Sequence, residues 1–208
     1  LWRSDGTETG TQLIVDVNAQ PSETPLPDPS SFVGAGAWTY LVSNKQLWRT
    51  DGATAGTVQV AGDFRDPSEL TDVGGTLFFV ARDADRRREL WMAREGSATA
   101  IKVKDGFAGA ERFFLSQLIS LHDRLYFTAD DGMHAGLWTS DGTVGGTHLL
   151  KEIVPGAESP LSFNPATRFV EAGGMLFFYG NDQVHGNEVF RTDGTADGTL
   201  MLGEIRPG

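Results

Sequence analysis

The chain has 208 residues, 39% of them hydrophobic and 22% charged, which is typical of a soluble globular protein large enough to bury a core. Its formal net charge of −11 would repel a phosphate backbone or an anionic membrane surface, so no nucleic-acid partner is expected. The sequence has no cysteine, which excludes disulfides, and no apolar run near the roughly 20 residues that cross a bilayer, so direct membrane insertion is not expected.

Glycine is abundant, with 26 residues against 9 prolines, which indicates many tight turns. No segment combines helix caps with a 3.6-residue apolar period, so we predict an all-β chain. The chain opens on Leu1 without an initiator methionine. We therefore expect a segment of a longer protein, with the signal peptide outside it.

A ten-residue pattern recurs along the chain, running from an aromatic residue through Ser/Thr-Asp-Gly to a Gly-Thr pair. Four clear copies begin at Trp2, Trp48, Trp138 and Phe190, and a degenerate copy with Glu-Gly for Asp-Gly begins at Trp91. Their separations of 43 to 52 residues match the length of one four-stranded propeller blade.

A second block precedes every copy except the first and lies in residues 32–41, 70–79, 118–127 and 169–178. Its central Gly-Gly, Gly-Ala or His-Asp pair predicts a two-residue hairpin turn between two short strands. Runs such as residues 77–81 are short, aromatic and β-branched, which favours strands buried on both faces.

Together these blocks predict a β-propeller built from four-stranded blades of about 46 residues, with neighbouring blades stacked. About four and a half blades belong to one propeller segment over residues 1–208, as part of a larger or five-bladed ring. The predicted repeats are a half blade over 1–31 and full blades over 32–63, 64–107, 108–156 and 157–208.

The fullest copy runs from Glu188 to Thr195 as Glu-Val-Phe-Arg-Thr-Asp-Gly-Thr, whereas Glu89-Leu90-Trp91 keeps only the beginning of that pattern. At these residues the sequence resembles the ELWxxDGT repeat family of exported bacterial proteins. The resemblance implies a secreted or bacterial cell-surface location, and it implies little about activity, because these repeats have no generally assigned chemistry.

The Asp-Gly pairs are predicted to be structural turns, because the Asp carboxylate accepts backbone N–H bonds and Gly adopts positive φ. The residues are Asp5, Gly6, Asp51, Gly52, Asp141, Gly142, Asp193 and Gly194. The repeated tryptophans have two interpretations, as wedges between blades or as sugar-stacking platforms for a ligand. The candidate ligand-binding residues are Trp2, Trp48, Trp91 and Trp138.

Acidic turns precede the third strand of two repeats, and their carboxylates are candidates for Ca²⁺, which takes six to eight oxygen ligands. The candidates are Asp130, Asp131, Asp182 and Glu188, and the alternative is an ordinary solvated turn. The run from Arg86 to Arg88 is interpreted as a solvated loop, with recognition of an anionic partner as the alternative.

No nucleophile, zinc-protease or phosphate-loop motif occurs, and no catalytic residue is predicted. We predict a non-enzymatic scaffold, adhesion or protein-interaction module that meets a protein or glycan at a cell surface. A carbohydrate-binding propeller is the first alternative. A glycosidase-like propeller is the second, because such enzymes can draw paired carboxylates from different blades.

Overall fold

A computed structural model describes residues 1–17, 30–104, 115–131, 133–154, 169–181, 184 and 186–203. All regular secondary structure in these ranges is β-strand, which confirms the all-β prediction. The strands are β1 Trp2–Arg3, β2 Gln12–Leu13, β3 Ser30–Ala35, β4 Trp38–Ser43, β5 Gln46–Thr50, β6 Val58–Gln59, β7 Arg65–Val73, β8 Thr76–Arg82, β9 Arg88–Ala93, β10 Ile101–Lys102, β11 Leu115–Leu121, β12 Arg124–Asp130, β13 Ala135–Ser140, β14 His148–Val154, β15 Val170–Ala172, β16 Met175–Asn181, β17 Asn187–Thr192 and β18 Leu200–Gly203.

The strands form five antiparallel sheets in chain order, which we number first to fifth. The first sheet contains β1 and β2, and each of the other four contains four consecutive strands, β3–β6, β7–β10, β11–β14 and β15–β18. Within each four-stranded sheet, every strand pairs with its neighbours in sequence, so the sheet is an up-and-down meander. Within the ranges given above, no helix is long and apolar enough to cross a membrane.

The first and second strands of these sheets are joined by two-residue turns. Gly74 and Gly75 have φ of 56° and 86°, and His122 and Asp123 have φ of 49° and 57° at the equivalent place. Positive φ at both central residues is the type I′ arrangement, whose twist matches the twist of the flanking strands. The turns therefore fix the register of each hairpin.

The meander gives every sheet two distinct ends. Turns between strands one and two, and loops between strands three and four, lie at one end, which we call the box face. Turns between strands two and three, and the links to the next sheet, lie at the other end, the linker face. The ends of adjacent sheets coincide, since Glu95 of a three–four loop accepts a 3.2 Å hydrogen bond from Ala37 N–H in the neighbouring one–two turn.

The core lies between sheets rather than inside one layer. Three apolar clusters join the second to the third sheet, the third to the fourth and the fourth to the fifth. Along β8, Leu77 and Phe79 belong to the first of these clusters, and Phe78 and Val80 belong to the next. Alternation along a strand sends successive side chains to opposite faces, so the third sheet is buried on both sides.

The fifth sheet is covered on one face only. In β16, Leu176 and Phe178 are buried, whereas Tyr179 is 46% exposed. Tyr179 occupies the same position in its strand as Thr128 in the fourth sheet, and Thr128 is 0% exposed. The outer face of the fifth sheet thus corresponds to a face that is buried in the fourth sheet. Among the described residues, no further sheet covers it.

Candidate functional site

The repeated Asp-Gly-Thr segment forms a seven-residue loop between the third and fourth strands, which we call the box loop. In the fifth sheet, the hydroxyls of Thr192 and Thr199 lie 2.8 Å apart and close its base. The Gly194 N–H donates to Thr192 Oγ1 at 3.0 Å, where Gly194 has a φ of 96°. Asp193 Oδ1 accepts hydrogen bonds from Thr195 N–H at 2.9 Å and from Thr195 Oγ1 at 2.7 Å.

The backbone bonds and the hydroxyl pair recur in the other box loops, so the predicted Asp-Gly residues serve one local geometry. The loop at Asp51 lacks the hydroxyl bond to the carboxylate, because Ala53 stands in place of Thr. The hydroxyl pairs are Ser4–Thr11, Thr50–Thr57 and Ser140–Thr147, each at 2.7 Å. A second glycine in each loop packs against the Asp carboxylate so closely that a Cβ atom would overlap it. These glycines are Gly10, Gly56, Gly146 and Gly198. The carboxylates are therefore engaged inside their own loops.

These hydrogen bonds change the acidity of the loop carboxylates. The side-chain hydrogen bond from Thr195, followed by its backbone N–H bond, lowers the pKa of Asp193 below its ordinary value of 3.8. Hydrogen bonds from Thr143 lower the pKa of Asp141 in the same way. A carboxyl group with a depressed native pKa stabilises the fold above its unfolded-state pKa, and this contribution is lost as pH falls through the native value.

We therefore expect the unfolding free energy to fall as the pH drops below about 4, and to fall less in Asp193→Asn. The asparagine keeps an acceptor oxygen but has no carboxyl group to protonate. Urea unfolding at a series of acidic pH values measures the difference. Asp197→Asn is the control, because it removes a charge from the same loop and none of the Asp193 bonds. An identical acid dependence in wild type and Asp193→Asn would contradict this assignment.

The four candidate tryptophans do not share one environment. Trp91 and Trp138 are 4% and 3% exposed and lie in the clusters between sheets. Trp138 also donates its indole N–H to the Ala129 carbonyl at 3.1 Å. Trp48 is half-buried, and Trp2 is 65% exposed. A ring without an open face cannot stack on a sugar, so the platform hypothesis stays open only for Trp2 and Trp48.

The calcium candidates are placed as follows. Asp130 at the end of β12 and Glu188 on β17 are buried and belong to different sheets. Asp131 Oδ1 accepts N–H bonds from Met133 at 3.0 Å and His134 at 2.8 Å, which makes it a turn brace. Asp182 lies outside the described residues. In the ranges that the structure covers, no three His, Asp or Glu side chains are grouped as metal ligands are.

The first strands of neighbouring sheets contact one another, β3 with β7 and β7 with β11. These strands contain bulges that the sequence did not predict. Each has a register shift at a residue with positive φ, and these residues are Ser31, Glu69 and Gln117 at 57°, 55° and 62°. The Glu69 carboxylate accepts the Gln117 N–H of the next sheet and pairs with Arg88 at 3.3 Å. This bridge fixes two bulged strands, and no glycine in the sequence indicates it.

A recess on the linker face lies between the second and third sheets, and we call it the basic groove. Its volume is about 1030 Å³. It is lined by Asn44, Lys45, Gln46, Leu47, Gln59, Val60, Ala61, Gly62, Phe64, Arg65, Asp66, Arg82, Asp83 and Arg86. Part of the Arg86–Arg88 run thus borders a cavity shared by two sheets, which the sequence did not predict.

Comparisons with known proteins support the fold and do not assign a function. No protein-family model and no curated protein sequence matches the chain. A puromycin hydrolase structure matches 96% of this chain and 31% of its own, with 13% identity and a TM-score of 0.63. A puromycin-hydrolyzing peptidase from Mycobacterium tuberculosis matches 95% of this chain and 30% of its own, with 12% identity and a TM-score of 0.57.

The β-propeller domain of the trilobed protease from Pyrococcus furiosus also matches, over 86% of this chain and 51% of that one, with 9% identity and a TM-score of 0.46. The chain thus spans 30% to 51% of the length of these structures. At such identities the first two likenesses show the fold alone. The fold is all-β and propeller-like, with several four-stranded antiparallel sheets.

Proposed function

We propose that this chain is a non-enzymatic, propeller-type binding scaffold of the ELWxxDGT repeat kind, located outside a bacterial cell or on its surface. One observation carries the proposal: the box-loop carboxylates and the tryptophans of the inner sheets, which belong to the repeated pattern, are engaged within the fold. Box-loop carboxylates such as Asp193 accept their own loop amides, and Trp91 and Trp138 pack between sheets. The unrepeated polar side chains, by contrast, line an open groove on the linker face.

The same proposal includes four and a half blades in a larger or five-bladed ring. The outer face of the fifth sheet supports it, because Tyr179, Leu200 and Leu202 are 46%, 46% and 51% exposed on this terminal sheet. In the first sheet, Trp2 and Leu13 are 65% and 54% exposed. Apolar surface of this kind is favourable to bury, and a sheet of the same repeat type fits positions that are buried between the inner sheets.

The test is a glycan array and a panel of immobilised cell-surface proteins, probed with the intact protein in calcium and again in chelator. Saturable binding without turnover of the bound molecule is expected. Loss of binding in chelator would support calcium at the acidic turns, and loss of glycan binding in Trp2→Ala would support the carbohydrate-binding alternative. Hydrolysis of a bound glycan that purifies with the protein would overturn the scaffold proposal in favour of a glycosidase.

A further inference from the structure

The basic groove concentrates positive charge in a protein of formal net charge −11. Four cationic side chains line it against two carboxylates. The cations are Lys45, Arg65, Arg82 and Arg86, and all four residues are exposed. They come from two sheets, so the cluster exists only where the sheets stack.

The two carboxylates of the groove are already engaged. Asp83 Oδ1 accepts N–H bonds from Asp85 and Arg87 at 3.0 Å each, and its Oδ2 lies 3.3 Å from Lys102 Nζ. Asp66 lies 3.8 Å from Lys45 in an exposed ion pair. The arginines of the groove are therefore not the partners of these two groups.

Three arginines occupy directly opposed positions on neighbouring strands of the third sheet. In the strand register, Arg65 lies opposite Arg82, and Arg82 lies opposite Arg88. Like charges at opposed positions of a sheet destabilise it. Arg88 is neutralised by Glu69 at 3.3 Å. Arg65 and Arg82 have no carboxylate within 4.0 Å in the part of the chain that is described.

The loop between β8 and β9 is held in shape around these cations. Arg82 donates through Nη1 to the Arg86 carbonyl at 2.8 Å, and the Arg86 N–H donates to the Asp83 carbonyl at 3.0 Å. Arg86 itself has a φ of 64°, in the left-handed region that residues with a side chain rarely adopt. The guanidinium of Arg86 is thus presented from a braced turn.

We propose that the basic groove binds a carboxylate-bearing oligosaccharide, with Arg65 and Arg86 as the residues that pair with a uronate carboxylate. This inference rests on the proposed binding function and names the ligand class of that site. Arginine matches a planar carboxylate through two parallel N–H bonds. The amides of Asn44 and Gln46 supply donors and acceptors for sugar hydroxyls.

Two further features favour a sugar over a densely charged polymer. Phe64 lines the groove as a half-buried side chain and is held by Phe79 and Trp91, with ring centroids 5.1 Å and 5.4 Å away, so the groove wall includes a fixed aromatic side chain. The acidic surroundings disfavour a long polyanion, whose charges would extend beyond the groove. The volume of about 1030 Å³ suits a short oligosaccharide.

The experiment is titration calorimetry of the intact protein with short oligogalacturonides and with neutral galactose oligomers of the same linkage. We expect binding of the acidic series that weakens with added salt, and little binding of the neutral series. Arg65→Gln and Arg86→Gln should each weaken binding about tenfold. Arg94→Gln is the matched control, because it removes an exposed arginine from the box-face loop of the same sheet.

Equal affinity for the neutral series, or an equal loss in Arg94→Gln, would overturn the proposal. Competition by inorganic sulfate as strong as by the uronate oligomers would also overturn it, since the groove would then recognise any anion. A protein that binds other array ligands but no uronate refutes this inference alone. A protein that binds nothing on the array or panel, or that hydrolyses what it binds, refutes the scaffold proposal itself. Thermal unfolding of each variant verifies that it is folded.

Discussion

Replacing Trp138 by alanine is expected to lower the unfolding free energy by about 3–5 kcal/mol, because it removes a large side chain from a closed interface. Trp138 is 3% exposed and lies opposite Phe127, between the third and fourth sheets. Its indole N–H bonds to the Ala129 carbonyl, and the Lys104 ammonium lies 5.3 Å from its ring centroid. Urea unfolding followed by far-ultraviolet circular dichroism measures the change without depending on tryptophan fluorescence.

Trp2→Ala is the matched control for this prediction. Trp2 holds the same position in the repeat but is 65% exposed, so its removal should change stability by no more than about 0.5 kcal/mol. If Trp138→Ala were as stable as wild type and instead lost a glycan ligand, the buried-wedge interpretation would be wrong. A stability loss in Trp138→Ala alone separates the two roles that the sequence pattern left open.

The stacked sheets follow from sequence features that act locally and repeat. Residues 77–81 form an apolar run too short for a helix, and the Gly-Gly pair before them permits positive φ at both turn positions. A strand that is apolar on both faces needs a sheet packed against each face, which predicts stacked sheets. These elements were predictable because each depends on a few adjacent residues.

The basic groove could not be predicted in the same way. Lys45 belongs to a turn of the second sheet, whereas Arg65, Arg82 and Arg86 belong to different segments of the third. Their proximity depends on how two sheets stack and on which strand ends meet at the linker face. The sequence showed only the run at residues 86–88, which by itself is more typical of a solvated loop than of a binding site.

The bulged first strands lie beyond local sequence rules for a different reason. Glu69 and Gln117 adopt positive φ although neither is Gly, Asn or Asp, the residues that normally mark such positions. Their conformation is imposed by contacts between sheets, including the bond from Gln117 N–H to the Glu69 carboxylate. Tertiary contacts, not propensity, therefore determine the bulges in these first strands.

The second glycine of the box loop gives the other large expected effect. Gly146→Ala should lower the unfolding free energy by about 2–4 kcal/mol, because the new methyl group would overlap the Asp141 carboxylate and displace it from its hydrogen bonds. Those bonds come from Thr143 N–H at 2.9 Å and Thr143 Oγ1 at 2.7 Å. Arg124 also donates to the Gly146 carbonyl at 3.3 Å, so the disturbance reaches a neighbouring strand.

The adjacent Gly145 makes this prediction specific. A Cβ at Gly145 would meet no atom within 4 Å, so Gly145→Ala should leave stability unchanged or raise it by up to about 1 kcal/mol. In an Asp141→Ala background the obstructing carboxylate is gone, and adding Gly146→Ala should then cost little. Urea unfolding of wild type, the two single variants Asp141→Ala and Gly146→Ala, and the double variant closes this cycle. Equal losses from Gly146→Ala with and without the Asp141 carboxylate would show that the glycine is required for a reason other than this contact.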